Sequence, residues 1–153
     1  MHFRSRILAD IVARLAAIPG FSEPGKVRRG RNGPIPQESL PALTPTWAEG
    51  SETTTIRPCA GPNGEDGYDR VLPVSIIVHL RDDDADEEFD RLALLIETAM
   101  GEAMTLGGLV VQVLQTSSRL YIDPRTGLSL GAGAINFDVY YKTVAHDPAT
   151  AAA

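Results

Sequence analysis

Between residues 71 and 80, Leu72, Val74, Ile76, Val78 and Leu80 alternate with Val71, Pro73, Ser75, Ile77 and His79, so both sides of the run are largely apolar. A β-strand sends successive side chains to opposite faces. A strand apolar on one side rests on a core and turns its other side to water, whereas one apolar on both sides needs cover above and below. The run therefore predicts a sheet with residues 72–80 at its centre and helices to bury it.

Two stretches supply those helices. Phe3, Ile7, Ile11, Leu15 and Ile18 recur at steps of four and three, which predicts a helix over residues 3–18 with one apolar stripe. Pro19-Gly20 stops it, because proline lacks the next donor and glycine accepts the exit conformation. Arg4 and Arg6 before Ile7, Leu8 and Ala9 imitate a secretory leader, but Asp10 and Arg14 break the apolar run, and the stretch reads as a soluble helix. After the strand, residues 82–84 predict the cap of a second helix reaching about Met104. Asp83, Asp84, Asp86, Glu87 and Glu88 crowd its first turn, where the helix dipole favours negative charge. Phe89, Leu92, Ile96, Ala99 and Ala103 form its stripe, with Leu95 and Met100 widening it.

Proline and glycine punctuate residues 21–69, so strands there must be short. Extended pieces are expected near residues 26–29, 40–47 and 53–57, with turns at Asn32-Gly33 and residues 34–36. Pro41 and Pro45 would interrupt a hydrogen-bond ladder and confine residues 40–47 to an edge or a bulge. Residues 61–69 (GPNGEDGYD) read as a mobile surface loop. Gly107-Gly108 precedes a strand over 109–114, extended after a bulge by 119–122, and residues 123–127 form a turn. In the last strand, over 134–143, Ile135, Phe137, Val139 and Tyr141 face one way. Asn136, Asp138, Tyr140 and Lys142 face the other, a row suited to solvent or to a subunit contact. Residues 145–153 have nothing to bury and are expected to be a disordered tail. The whole predicts one α+β domain over residues 1–144, a small mixed or antiparallel sheet packed against two main helices.

A chain of 153 residues buries roughly 70% of its unfolded surface, enough for a core without disulfides or metal. Cys59 is the only cysteine, which excludes an internal disulfide and fits a reducing compartment. No run approaches the ~18 apolar residues of a membrane helix. Charge is divided unevenly. Residues 1–31 hold seven basic residues against Asp10 and Glu23, a net +5, while the remainder carries −11. Such a division suits complementary protein surfaces, or contact with nucleic acid on one side only.

Reactive chemistry finds no constellation. His2, His79 and His146 stand apart and Cys59 has no partner cysteine, so no metal-site spacing arises, and His79 reads as a structural strand histidine. The acidic residues 82–90 lack the central glycine and alternating ligands of a calcium loop, and read as a capped, solvated helix start or an acidic partner-binding patch. Glycines at 127–133 lead into a strand, not into the helix N-terminus that an anion cradle uses. No serine or cysteine sits in a nucleophile elbow, and no cofactor is expected. The segment Lys26, Arg28, Arg29 and Arg31 is the one charge cluster with a functional reading. It is a solvated edge, a contact with the acidic face of a neighbouring subunit, or a nucleic-acid patch without interleaved aromatics.

The order helix, short broken strands, long strand, helix, strand, strand resembles the tail terminator (lambda-type minor tail) proteins of long-tailed phages and related gene transfer particles. The likeness is carried by the opening helix over 3–18, the segment Leu40-Pro41-Ala42-Leu43, the strand 72–80 leading into the acidic-capped helix 84–104, and the closing INFDVYYKT at 135–143. The resemblance implies a structural protein, not an enzyme. Its members form a ring, expected to be hexameric, that caps the tail tube and then meets the neck or head completion proteins, with DNA passing through the lumen. It also implies a place at the tail–neck junction of a particle assembled in the bacterial cytoplasm. Ring contacts are then expected on the second helix, with Asp83, Asp84 and Asp86, and on the outer row Asn136, Asp138 and Tyr140. Lys26, Arg28, Arg29 and Arg31 are expected to meet another chain. Rival readings are a head completion or stopper protein, a nucleic-acid module built on residues 26–31, and a small enzyme with Tyr68, Asp69, Asn136 and Asp138 at a subunit interface.

Overall fold

The computed structural model describes residues 1–31, 35–81, 84–102, 104–122 and 131–152. Two helices and six strands follow one another as α1 (Phe3–Ala16), β1 (Ala42–Thr46), β2 (Thr53–Arg57), β3 (Gly67–His79), α2 (Ala85–Gly101), β4 (Gln112–Ile122), β5 (Gly131–Val144) and β6 (Asp147–Ala151), with a short 3-10 turn at Gln37–Ser39. The class is α+β, and the six-stranded sheet is antiparallel throughout.

The doubly apolar strand lies where its pattern requires. β3 pairs along its whole length with β5 on one side, and on the other with β2 at its start and β1 at its end. β5 in turn carries β4 along most of its outer side and β6 beyond it. Both margins of the sheet are thus composite, each built from two shorter strands placed end to end.

One face of the sheet is covered by the helices. Leu72, Val74, Ile76 and Val78 of β3 and Ile135, Phe137, Val139 and Tyr141 of β5 meet the stripes of α1 (Phe3, Ile7, Ile11, Leu15) and α2 (Phe89, Leu92, Ile96, Met100), all buried in one cluster. Glycine makes the close approach possible at Gly133, where an added methyl would overlap the Phe89 ring of α2. α1 ends at Ala16 with Ala17 as its C-cap, two residues short of the expected Ile18, and Gly20 at φ 96° follows in the turn. Its N-terminus is capped by His2, whose Nδ1 accepts the Arg4 amide at 3.2 Å.

Several expectations are corrected. β3 begins at Gly67 rather than near residue 71, because Gly67–Val71 is paired on both sides, so the loop expected over 61–69 closes earlier. Residues 26–29 form no strand and only bridge from Val27 to Leu43. α2 ends at Gly101 rather than Met104. Asp84 occupies its N-cap position, but its side chain makes no cap hydrogen bond, leaving the dipole as the favourable interaction of the acidic first turn. The tail expected to be disordered instead turns at residues 145–146 and returns as β6, which hydrogen-bonds to the end of β5. A backbone ladder orders this segment although its side chains are exposed, something hydrophobic pattern does not report. The bulge in β4 falls between Gln115 and Ser117, and 119–122 continue the strand as expected. Asp82 and Asp83, Ala103, and the turns expected at 32–34 and 123–127 lie outside the described residues.

Candidate functional site

Opposite the helices the sheet presents a second face that no element among the described residues covers. Cross-strand partners share a face, so the registers assemble it row by row. Thr46, Ser75, Asn136 and Ser117 form one row; Thr44, Ile77, Ala134 and Arg119 the next; Pro73, Asp138 and Leu114 lie on the other side of the first. The face curves into a shallow depression of about 870 Å³. Its polar groups are tied to one another: Ser75 Oγ donates to Asn136 Oδ1 at 2.6 Å, and Asn136 Nδ2 donates to Ser117 Oγ at 2.9 Å. Hydroxyls engaged in such a ladder hold strands in register. Leu114 and Tyr121 are 40% and 43% exposed on this face, and Tyr121 lies under the Arg119 guanidinium at 4.6 Å.

The sequence-derived candidates separate into three places. Asn136, Asp138 and Tyr140 do form one stripe on the bare face, half-buried. Asp84 and Asp86 are exposed at the start of α2, and Asp83 lies outside the described residues. The basic segment runs beside the outer edge of β1, held by Leu43 N donating to Lys26 O at 2.7 Å and Arg28 N donating to Leu43 O at 3.1 Å. Only two of its cations face solvent fully. Lys26 Nζ turns back to the carbonyls of Leu40 and Pro41 at 3.4 and 3.3 Å, and Arg31 Nη2 to that of Gly25 at 2.5 Å. Arg28 and Arg29 are exposed. Within one chain, no ion pair among the described residues joins this segment to the acids of α2.

Within one chain, the residues weighed for an enzyme at a subunit interface are not all brought together. Tyr68 pairs with Thr143 on the helix-covered side, whereas Asp69 pairs with Lys142 on the bare side. Lys142 lies four residue steps along β5 from Asp138, roughly 13 Å. Asp69 is already bound by Arg57 Nη2 at 2.8 Å. His79 is half-buried and its Nε2 lies 3.0 Å from Thr44 Oγ1, with burial first and the charge of Arg31 second pushing its pKa below the ordinary 6.5. Among the described residues no group of three or more histidine, cysteine or acidic side chains is placed to hold a metal ion.

Sequence reasoning missed one cluster, on the covered side. The Glu52 carboxylate accepts from Arg4 Nη1 at 3.1 Å, Arg70 Nη1 at 2.9 Å and Tyr141 OH at 2.5 Å, while Arg70 Nε donates to Thr143 Oγ1 at 2.8 Å. Burial, then the Glu52 hydrogen bond and charge, push the Tyr141 phenol well above its usual range. Arg4 also lies over the Trp47 ring at 4.5 Å, and Phe3 stacks on Tyr141 at 5.6 Å. The cluster ties α1, the approach to β2 and the ends of β3 and β5 together. A single signal pointed to it: Tyr141 on an inward row, whose hydroxyl needs a buried partner.

No helix among the described residues is long and apolar enough to cross a membrane. No family model matches the chain, and no curated protein matches it. Among solved structures it is similar to a chain of the virion of a native gene transfer agent (GTA) particle, with 13% identity and a TM-score of 0.42 over 91% of this chain and 90% of that one.

Proposed function

We propose that the chain is a structural subunit of a phage-like particle, a ring-forming tail terminator that caps the tail tube and offers its other side to the neck. On this reading it works by assembly and catalyses nothing. The observation that carries the proposal is the one-sided cover of the sheet. The helices cover one face of the central strands, while the other face keeps Leu114 and Tyr121 exposed and Ile77 half-buried beside a self-satisfied hydroxyl ladder. A sheet built this way has apolar surface and strand edges to give to other chains.

A ring also fits the surface area. A standard contact removes about 1,600 Å² in total, so a ring member with two neighbours gives up about that much itself. That is about a fifth of the 8470 Å² that this chain exposes. Ring contacts of this kind are heterologous, joining two different patches, and they close by rotation instead of extending into a filament.

Negative-stain microscopy of the purified chain, alone and mixed with tail tubes, tests the proposal. Rings, or caps at tube ends, are expected. A chain that remains monomeric at high concentration and leaves tubes uncapped overturns it. Pull-down against tube and portal proteins separates this role from that of a head completion protein.

A further inference from the structure

The registers place the basic segment and a bare stretch of β4 at opposite ends of one line across the sheet. Val27 bridges Leu43, Leu43 pairs with Val78, Val78 with Gly133, and Gly133 with Leu120. Five backbone segments in succession span about 19 Å at the usual spacing. At the Val27 end stand the exposed Arg28 and Arg29. At the other end β4 has, among the described residues, a strand partner on one side only. Past Val113, whose amide donates to Met104 O at 2.7 Å, no outward backbone group of residues 114–121 is paired among the described residues. A strand edge left open in this way is a template for a further strand.

Charge differs at the two ends as well. α2 lies over β4 and β5, with Ala85 against Gly131 and Phe89 against Gly133, the residue on the shared line. Asp86, Glu87 and Asp90 in its first turns are exposed at that level. The Val27 end of the line is therefore cationic, and the β4 end is flanked at the same height by the acids of α2 on the helix-covered side, with Arg119 of β4 projecting on the bare side.

Polarity agrees too. β4 is antiparallel to β5, β5 to β3, and β3 to β1, while the Val27 bridge is parallel to β1. β4 and the basic segment consequently run in opposite directions. A second copy set beside the first in the same orientation brings its basic segment antiparallel to the first copy's β4.

We propose that copies of this chain join head to tail, with residues 26–31 of one against the open β4 edge, residues 115–121, of the next, where Arg28 and Arg29 face the acids of α2. The inference rests on the assembly reading above and specifies which surfaces make the contact. It predicts a heterologous interface, since the two edges differ and each copy offers both.

Charge exchange tests it. The dissociation concentration is measured by sedimentation for the natural chain, for Arg28→Glu with Arg29→Glu, for Asp86→Lys with Asp90→Lys, and for a mixture of the two variants, with circular dichroism confirming that each is folded. Each variant alone is expected to assemble at least tenfold more weakly, because like charges then face each other. The equimolar mixture is expected to regain assembly, since every junction again pairs opposite signs. Assembly of the natural chain that both variants retain, or a mixture no better than either variant, overturns the interface and leaves the assembly reading standing. A natural chain that never assembles, with or without tail tubes, overturns both. Site-directed disulfides check the geometry independently in a Cys59→Ser background. Arg28→Cys and Ser118→Cys in one chain are expected to give a ladder of cross-linked multimers, and either alone no dimer. A dimer from Ser118→Cys alone would mean edge-to-like-edge pairing and would refute the proposal.

Discussion

Glu52 is the residue whose removal should cost most for its apparent modesty. It precedes a run of threonines in a connecting segment, and a surface glutamate at such a position normally changes stability by no more than about 0.5 kcal/mol. Here its side chain is 7% exposed and accepts from two guanidinium groups and a phenol. Replacing it with alanine leaves Arg70, itself only 10% exposed, without its carboxylate, and leaves the Tyr141 hydroxyl unpaired. Breaking a buried ion pair from one side costs about 3–5 kcal/mol. Arg4, 27% exposed, can turn to water and adds little. Glu52→Ala is therefore expected to lose about 3–5 kcal/mol in urea unfolding, near 10 °C in melting temperature at roughly 2–4 °C per kcal/mol for a chain of this size. Glu52→Gln keeps the shape and an acceptor oxygen but removes the charge, and is expected to fall about midway. A double-mutant cycle with Arg70→Met should return a coupling above about 1 kcal/mol, as groups in one network do. A loss below 1 kcal/mol for Glu52→Ala, or additivity with Arg70→Met, would refute the claim that this carboxylate organises the cluster.

Gly133→Ala forces a methyl into the Phe89 ring and should destabilise by about 1–3 kcal/mol, an effect that Phe89→Leu in the same chain partly relieves in thermal unfolding. Asn136→Ala removes the middle of the Ser75–Asn136–Ser117 ladder and should cost about 1 kcal/mol in urea. His79 keeps a folded-state pKa below 6.5, so below that pH the unfolded chain binds the extra proton more readily. Its contribution is accordingly intact above pH 6.5 and lost as the pH falls. His2 is shifted the same way, by burial first and then by Arg4 and Arg70. Stability measured from pH 7 to 5 should therefore fall less steeply for His79→Gln than for the natural chain, and an unchanged slope would contradict the shift.

The centre of the fold was legible because burial and periodicity agree there. β3, β5 and the two helices each repeat apolar side chains at the period of their own backbone, and each lies where that period puts it. The margins were legible only where composition is unusual, as in the short proline-containing β1. β6 escaped because it is held by backbone bonds alone, with every side chain exposed. The start of β3 escaped because Gly67, Tyr68 and Asp69 have turn-like composition, yet their amides are claimed by strands on both sides. The candidate surfaces divide in the same way. The stripe Asn136, Asp138, Tyr140 follows from strand alternation, whereas the inward turn of Lys26 and Arg31 depends on carbonyls contributed by other segments. The Glu52 cluster draws on residues 4, 52, 70 and 141, a spacing to which no local pattern is sensitive.

The pairing of β3 with β5 has a consequence for the order in which the molecule can form. These strands supply the middle of the sheet, yet α2 and β4 lie between them in the chain. A ribosome that has released residues 1–101 has delivered both helices and the first three strands, but not the central partner that β3 requires. Contacts between residues so far apart in the chain form slowly, since a long loop must close before they return any energy. Until then one whole side of β3, the most apolar strand, stands open. Nascent chains arrested before β5 emerges should bind holdase chaperones and be cut quickly by proteases, and resistance should rise steeply once β5 is free to slot in.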